Sequence, residues 1–199
     1  MFTGIVEAMG EITATEDRET TRTFRVRAPG LAPSLSRGAS ISIDGACFTA
    51  VAIDGDDFTV DAIGTTLERT VAASYAIGTR VNLERPMQLG ARLDGHLVQG
   101  HVDGVGHLVE SVKSGEFWLM DFSIPEDVLG LTVEHGSITL NGVSLTVSEL
   151  PAPGRCRIGV IPFTHEHTNL GILEAGDRIN IEGDMIGKYV GRVLASRDD

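Results

Sequence analysis

Gly95-His96-Leu97-Val98-Gln99-Gly100-His101-Val102-Asp103-Gly104-Val105-Gly106 restates the opening of the chain. Set beneath Phe2-Thr3-Gly4-Ile5-Val6-Glu7-Ala8-Met9-Gly10, the stretch from Val98 puts glycine on glycine at Gly100 and Gly106. Val102 falls on Val6, Asp103 on Glu7, and His101 opposite Ile5. The register continues: Ser40-Ile41-Ser42-Ile43-Asp44-Gly45-Ala46-Cys47-Phe48-Thr49-Ala50 lies on Ser137-Ile138-Thr139-Leu140-Asn141-Gly142-Val143-Ser144-Leu145-Thr146-Val147. Thr66-Leu67-Glu68-Arg69-Thr70 then pairs with Thr164-His165-Glu166-His167-Thr168, and Gly78 to Glu84 with Gly176 to Glu182. Colinear blocks at a period of about 97 residues mean two duplicated domains, because each copy is long enough to bury its own core.

Most of the chain reads as short strands separated by turns. Phe24, Val26 and Ala28 alternate with Arg25 and Arg27, the period-two pattern of a half-buried strand. Ile41/Ile43 and Ile138/Leu140 alternate with small hydroxyl residues and run into Asp44-Gly45 and Asn141-Gly142. These pairs reach the positive φ of a tight hairpin turn, so each copy is expected to carry a hairpin whose second strand begins at Cys47 or Ser144. Asp54-Gly55-Asp56 and Pro151-Ala152-Pro153-Gly154 mark further turns. Pro33 precedes Leu35, and Pro125 precedes Glu126-Asp127-Val128-Leu129, which predicts a one-turn helix. Residues 85–94, with Pro86 and Gly90 and no counterpart in either copy, read as a linker.

One real helix is expected, from Asp184 onward, where Met185, Ile186, Tyr189, Val190, Val193 and Leu194 form an apolar stripe. Appended to two finished domains, the stripe is expected to self-associate with other copies, packing against its own barrel being the alternative.

A net charge of -12 argues against a nucleic-acid footprint, which needs a basic face. Lysine occurs only as Lys113 and Lys188. The excess carboxylate predicts a surface adapted to high salt, to be tested by melting at low and molar salt. Neither a bilayer-length apolar run nor a basic-then-apolar leader is present, so a soluble, cytoplasmic protein without membrane contact is expected. Cys47 and Cys156 occupy unrelated positions in the two copies, which favours reduced thiols over a duplicated disulfide. His165 and His167 would share a strand face but lack a third ligand for a metal.

The N-terminal Met1-Phe2-Thr3-Gly4-Ile5-Val6-Glu7, Asp-Gly-x-Cys-Phe-Thr at 44–49 and Gly-His-x-x-x-Gly-His-Val-Asp-Gly at 95–104 together resemble the riboflavin synthase family of alpha-chain type. Asn-Gly-x-Ser-Leu-Thr-Val at 141–147 and the Asn-Ile-Glu-x-Asp lead into the final helix extend that resemblance over essentially the whole chain. The fold expected is all-β: two tandem homologous six-stranded antiparallel Greek-key β-barrels, residues 1–94 and 95–183, followed by a C-terminal α-helix over 184–199 that mediates oligomerisation. The resemblance implies a dismutation of two molecules of 6,7-dimethyl-8-ribityllumazine. One gives a four-carbon unit to the other, yielding riboflavin and 5-amino-6-(ribitylamino)uracil, with no cofactor and no metal. It further implies a homotrimer with active sites between subunits. A non-catalytic lumazine- or flavin-binding antenna protein of the same fold is the main alternative.

Donor and acceptor must differ chemically, so the informative positions are those where the copies diverge, above all Cys47 against Ser144 and Ile5 against His101. By resemblance, His101 is a candidate base or proton shuttle, Cys47 and Ser144 supply or position a nucleophile, and Asp184 is an active-site carboxylate as well as a helix cap. Substrate contacts are implied for Phe2, Thr3, Gly4, Ile5 and Val6, for Ser40, Phe48 and Thr49, and for Asp61, Ala62, Ile63, Gly64, Thr65 and Thr66. In the second copy they are implied for His96, Gly100, Val102, His135, Asn141, Leu145 and Thr146, and for Gly159, Val160, Ile161, Pro162, Phe163 and Thr164. His135, Asn141 and Phe163 depart from the residues common in relatives, where lysine, aspartate and a polar residue stand.

Overall fold

The computed structural model describes residues 1–196; residues 197–199, the end of the expected helical segment, lie outside the described residues. The first barrel contains β1 (Ala8–Asp17), β2 (Thr21–Arg27), β3 (Ser40–Ile43), β4 (Ala46–Asp54), β5 (Asp57–Ile63) and β6 (Arg80–Glu84). The second contains β7 (Gly104–Ser114), β8 (Phe117–Ser123), β9 (Ser137–Leu140), β10 (Val143–Glu149), β11 (Arg155–Val160) and β12 (Arg178–Gly183). Each sheet closes on itself, in the order β1-β2-β5-β4-β3-β6 and, equivalently, β7-β8-β11-β10-β9-β12. This Greek-key order leaves neither sheet with a free edge. Every strand pair is antiparallel, and bulges recur at matched places, Ile12/Ala14 with Leu108/Glu110 and Ala50/Ala52 with Val147/Glu149.

Each barrel encloses its own core. Ile12, Phe24, Ile41, Phe58 and Leu83 fill the first and Leu108, Phe122, Ile138, Ile158 and Ile181 the second, all essentially inaccessible. Burial of each such side chain stabilises the fold by about 1.5–3 kcal/mol.

The two Asx-Gly turns are where the barrels meet. Asp44 and Gly45 adopt φ of 47° and 78°, and Asn141 and Gly142 adopt 45° and 77°, the left-handed geometry of a two-residue hairpin turn. The turn closes on Ile43↔Ala46 and Leu140↔Val143, so the second strand starts one residue earlier than the sequence suggested. A Cβ on Gly45 would lie 2.7 Å from the Gly142 nitrogen, and one on Gly142 equally close to the Gly45 nitrogen. The hairpin tips thus abut across a pseudo-two-fold axis.

Asparagines complete that junction. Asn82 Nδ2 donates to the Asn141 carbonyl and Asn180 Nδ2 to the Asp44 carbonyl, each at 2.8 Å. Their Oδ1 atoms accept from the Asn169 and Val71 amides at 2.7 and 2.8 Å. The symmetry breaks at Asp44, which additionally accepts from Tyr75 Oη at 2.7 Å and Asn169 Nδ2 at 2.9 Å. Burial raises the Asp44 carboxyl from 3.8 to about 7.

The expectation of a single real helix needs correction. Besides α2 (Glu126–Leu129), the one turn expected after Pro125, there are α1 (Gly64–Arg69) and α3 (Pro162–His167), each leading from a strand into a 3-10 turn. Thr70 and Thr168 cap those turns by accepting from the amides of Ala72 and Leu170. No side chain caps the start of α1 or α3 and neither buries a residue, so no apolar stripe announced them. Placing His165 and His167 on α3 also removes the shared strand face. His165 stacks on Trp118 with ring centroids 3.8 Å apart, and His167 stacks on Phe163 at 4.2 Å.

The final helix, α4 (Met185–Ala195), begins at Asp184, whose Oδ1 accepts from the Ile186 amide at 2.8 Å. Its glycines Gly187 and Gly191 lie against Leu131, while Lys188 Nζ reaches Asp103 Oδ2 at 2.7 Å. Ile186, Tyr189, Val190, Val193 and Leu194 are each more than half exposed, so the stripe seen in sequence has no partner within the described chain.

Candidate active site

Two matched sites form by crossing. The segment ahead of β1 leaves its own barrel and lies on the second: the Ser144 amide donates to the Gly4 carbonyl at 2.7 Å. The equivalent segment ahead of β7 lies on the first barrel, with the Cys47 amide donating to the Gly100 carbonyl at 2.9 Å. The two segments pair with each other through Phe2 and Val98, whose amides donate to each other's carbonyls at 2.7 and 3.1 Å. Glycine is required at both crossings. Gly4 and Gly100 adopt φ of 75° and 81°, and a Cβ there would sit 2.6 Å from Ser144 Cβ or 2.8 Å from Cys47 Cβ.

The first pocket is a cavity of about 260 Å³ lined by Ala46, Cys47, Thr65, Thr66, Arg69, Thr70, Gly100, His101 and Val102. Strand β4 turns Cys47 and Thr49 outward, with Ser42 and Ser40 directly across on β3. Helix α1 brings Thr65, Thr66 and Arg69 over that face. The exposed Asp61 is tied back to β2 by Thr23 Oγ1 at 2.6 Å.

In the second barrel β10 turns Ser144 and Thr146 outward, opposite Thr139 and Ser137. His96 is buried against this face, its Nδ1 2.7 Å from Ser144 Oγ and its Nε2 3.1 Å from Thr139 Oγ1. Desolvation lowers the imidazole's pKa, opposed by the Asp184 carboxylate, so His96 is neutral at pH 7. The tautomer that donates Nε2–H to Thr139 leaves Nδ1 to accept the Ser144 hydroxyl proton. Helix α3 places Phe163 and Thr164 at the end of β11, and His135 is held at φ 64° with its amide donating to the Val147 carbonyl at 2.8 Å.

The four reactive candidates therefore divide by barrel. Cys47 and His101 line one pocket, while Ser144 is on the second barrel against His96, whose charge the Asp184 carboxylate influences. A larger cavity of about 510 Å³ lies between the first barrel and residues 85–94. It includes Thr3, Ile5 and the Arg85–Glu7 ion pair but none of these four.

A family model for the lumazine binding domain matches residues 3–86 and again 99–184. The chain belongs to the lumazine-binding family. It is 42% identical over 199 residues to a riboflavin synthase of Mycobacterium tuberculosis, covering 98% of this chain and 99% of that protein. Against riboflavin synthase of Bacillus subtilis the identity is 34% over 194 residues, with 98% and 90% covered. Among solved structures, LumP complexed with riboflavin superposes with a TM-score of 0.86 at 26% identity, covering 92% of this chain and 99% of that one. LumP complexed with 6,7-dimethyl-8-(1'-D-ribityl) lumazine gives a TM-score of 0.83 at 27% identity, with 92% and 98% covered.

Within each lumazine-binding domain, strand alternation sorts the implied contact residues. Phe48, Ala62 and Val160 point into the barrel cores, leaving only their backbone available to a ligand. Leu145 packs on the second core, and Phe2 is fully buried, its ring against Gly100. Asn141 is 2% exposed, and its side-chain oxygen accepts from the Asn180 amide at 2.8 Å. That places the side chain in the barrel junction, away from either pocket. Thr3 spends both its amide and its hydroxyl on Glu84. Residues left open to a ligand are Ile5, Thr49, Ile63, Gly64 and Thr65 in the first copy and His101, Thr146, Ile161, Pro162 and Phe163 in the second. Ser40, Val6, Thr66, Val102 and Thr164 are half-buried beside them, and Gly159 donates its amide to Ser148 Oγ.

Sequence reasoning missed Thr139, which fixes His96, and Arg69, the cation beside Cys47. A polar residue inside the apolar run Ile138-Thr139-Leu140 was the available signal for the first. Arg69 offered none.

Proposed function

We propose that this chain is a riboflavin synthase that converts two molecules of 6,7-dimethyl-8-ribityllumazine into riboflavin and 5-amino-6-(ribitylamino)uracil by four-carbon transfer. The observation that carries the reading is the pair of sites built on one backbone plan and furnished with different chemistry, Cys47 with His101 and Ser144 with His96. Two identical substrates that take opposite roles call for such a pair.

The reaction begins with loss of a proton from the acidic C7 methyl group of one lumazine and addition of a nucleophile at C7 of the other. Ser144 is the proposed nucleophile. Neutral His96 accepts its hydroxyl proton as the oxygen adds and returns that proton when the oxygen leaves. His101, exposed at the mouth of the Cys47 pocket, is the proposed base for the methyl proton. Asp184 stabilises positive charge arising on His96. Hydroxyls of Ser40, Thr49, Thr66, Thr146 and Thr164 supply hydrogen bonds to ribityl and ring polar atoms. The reading uses no cofactor and no metal.

The chain is proposed to act as a homotrimer, with the exposed stripe of α4 from each copy at the centre and each active site formed between barrels of neighbouring copies. Residues 1–94 and 95–183 are the proposed domain limits. Among the described residues no helix is long and apolar enough to cross a membrane, and the proposed location is the cytoplasm.

The test is incubation of purified protein with 6,7-dimethyl-8-ribityllumazine alone. One riboflavin formed per two lumazines consumed, with the uracil as co-product, supports the enzyme. Tight binding without turnover would instead identify an antenna-type binder.

A further inference from the structure

Two buried carboxylates have no part in the chemistry above. Glu84 at the end of β6 is 5% exposed and Glu182 near the end of β12 is 2% exposed. Glu84 accepts from the Thr3 amide at 2.6 Å, the Thr3 hydroxyl at 2.7 Å and the Gly4 amide at 3.0 Å. Glu182 accepts from the amides of Gln99 at 2.8 Å and of Gly100 and His101, both at 2.9 Å. Three donors converge on each carboxylate, and only an acceptor-only group with several lone pairs satisfies them all.

Close cations do little for either charge. Among the described residues Glu84 has no ion-pair partner, and Lys188 Nζ stands 3.9 Å from Glu182 while contacting Asp103 at 2.7 Å. Desolvation raises both carboxyls, so burying them opposes folding unless the amides stay in place. Barrel closure does not depend on these side chains, because the backbone ladders of β1 with β6 and β7 with β12 supply it. What the carboxylates hold are the crossing segments, and each crossing segment lies against Cys47 or Ser144 on the opposite barrel.

We propose that Glu84 and Glu182 are positioning residues that act across the barrel boundary. Glu182, in the second barrel, sets the Gly100–Val102 wall of the Cys47 pocket. Glu84, in the first, sets the Gly4–Ile5 segment against Ser144. Each half-site thus depends on a carboxylate from the other domain, and glutamine cannot substitute, because its amide would aim N–H at N–H.

The inference deepens the proposed function and rests on it for the meaning of the pockets. Its test uses thiol chemistry without lumazine, so it can fail or succeed independently. Cys47 is exposed and Cys156 is buried with its thiol pushed up to about 12, so iodoacetamide alkylation of the native protein reads Cys47. The site on the second barrel is read by a thiol introduced by Ser144→Cys in a Cys47→Ala background. Glu182→Gln is expected to speed Cys47 alkylation at least fivefold and to leave the thiol at position 144 within twofold. Glu84→Gln is expected to give the reverse pattern. A purely structural role would accelerate both thiols together or the one in the same barrel, and either result overturns the proposal. If a glutamine variant does not fold, Glu84→Asp and Glu182→Asp, which keep the charge but shorten its reach, are read by the same crossed pattern and overturned by its absence.

Discussion

Asp44→Asn should remove a pH-dependent liability at the centre of the molecule. Asp44 is 2% exposed, and burial raises its carboxyl from 3.8 to about 7. A carboxyl raised on folding contributes its full stability below the unfolded pKa and loses it as pH climbs through the folded one. From about pH 4 to pH 7 the native state therefore forfeits about 4 kcal/mol at this site, taking about 1.36 kcal/mol per pKa unit. Asparagine fits the same place. Its oxygen can accept from the Asn82 amide and Asn169 Nδ2, as Asp44 Oδ1 does at 2.7 and 2.9 Å, and its Nδ2 can donate to Tyr75 Oη. The φ of 47° suits asparagine, which already occupies φ 45° at the repeat-equivalent Asn141. Urea unfolding of wild type and variant at pH 5 and pH 8 isolates the site, because every other titration is common to both. The variant is expected to gain about 3 kcal/mol on wild type between those two values. A difference that stays flat from pH 5 to pH 8 would mean that Asp44 is already ionised in the native state at pH 5, and would refute the reasoning.

His101→Ala and Asp184→Ala should each lower kcat by at least tenfold while leaving lumazine affinity within a few-fold, as steady-state kinetics and titration calorimetry would show; matched losses in affinity alone would contradict the roles assigned. Gly142→Ala combines φ of 77° with a Cβ 2.7 Å from the Gly45 nitrogen, so chemical denaturation should reveal a loss of about 2 kcal/mol or more. Tyr189→Asp, at a side chain 64% exposed on α4, should leave the monomer fold intact by circular dichroism and shift sedimentation velocity from the proposed trimer to monomer.

The fold was legible because duplication and turn chemistry are local signals. Asp44-Gly45 and Asn141-Gly142 dictated hairpins by backbone conformation, and alternation at Ile41/Ile43 and Ile138/Leu140 fixed which face went inside. Helices α1 and α3 were not legible, because six-residue helices with no buried side chain and no capping side chain carry no periodic signature. At the site, only the resemblance made Cys47, Ser144 and His101 candidates, and it did not tell which of them lie together. His96 and Ser144 are 48 residues apart in sequence and 2.7 Å apart in space, joined where the segment ahead of β7, before its crossing onto the first barrel, pairs with Phe2 and Thr3 beside Ser144. The same crossing hid Glu84 and Glu182, whose partners lie 80 or more residues away.

Crossing also accounts for how a duplicated protein could diversify its two sites without losing either. The hydrogen bonds that repeat faithfully between the halves are made by backbone and by groups that serve backbone: Cys47 N to Gly100 O with Ser144 N to Gly4 O, Asn82 with Asn180, Glu84 with Glu182. The groups that differ, Cys47 against Ser144 and Ile5 against His101, are side chains that project from that frame. Since neither change touches a donor or acceptor of the frame, each pocket was free to take its own chemistry while the junction stayed satisfied. Asp44 is the exception. There divergence entered the junction itself, with Tyr75 and Asn169 recruited as hydrogen-bond donors where the other half has Leu173 and Val71, and pH sensitivity at that carboxyl is the physical consequence.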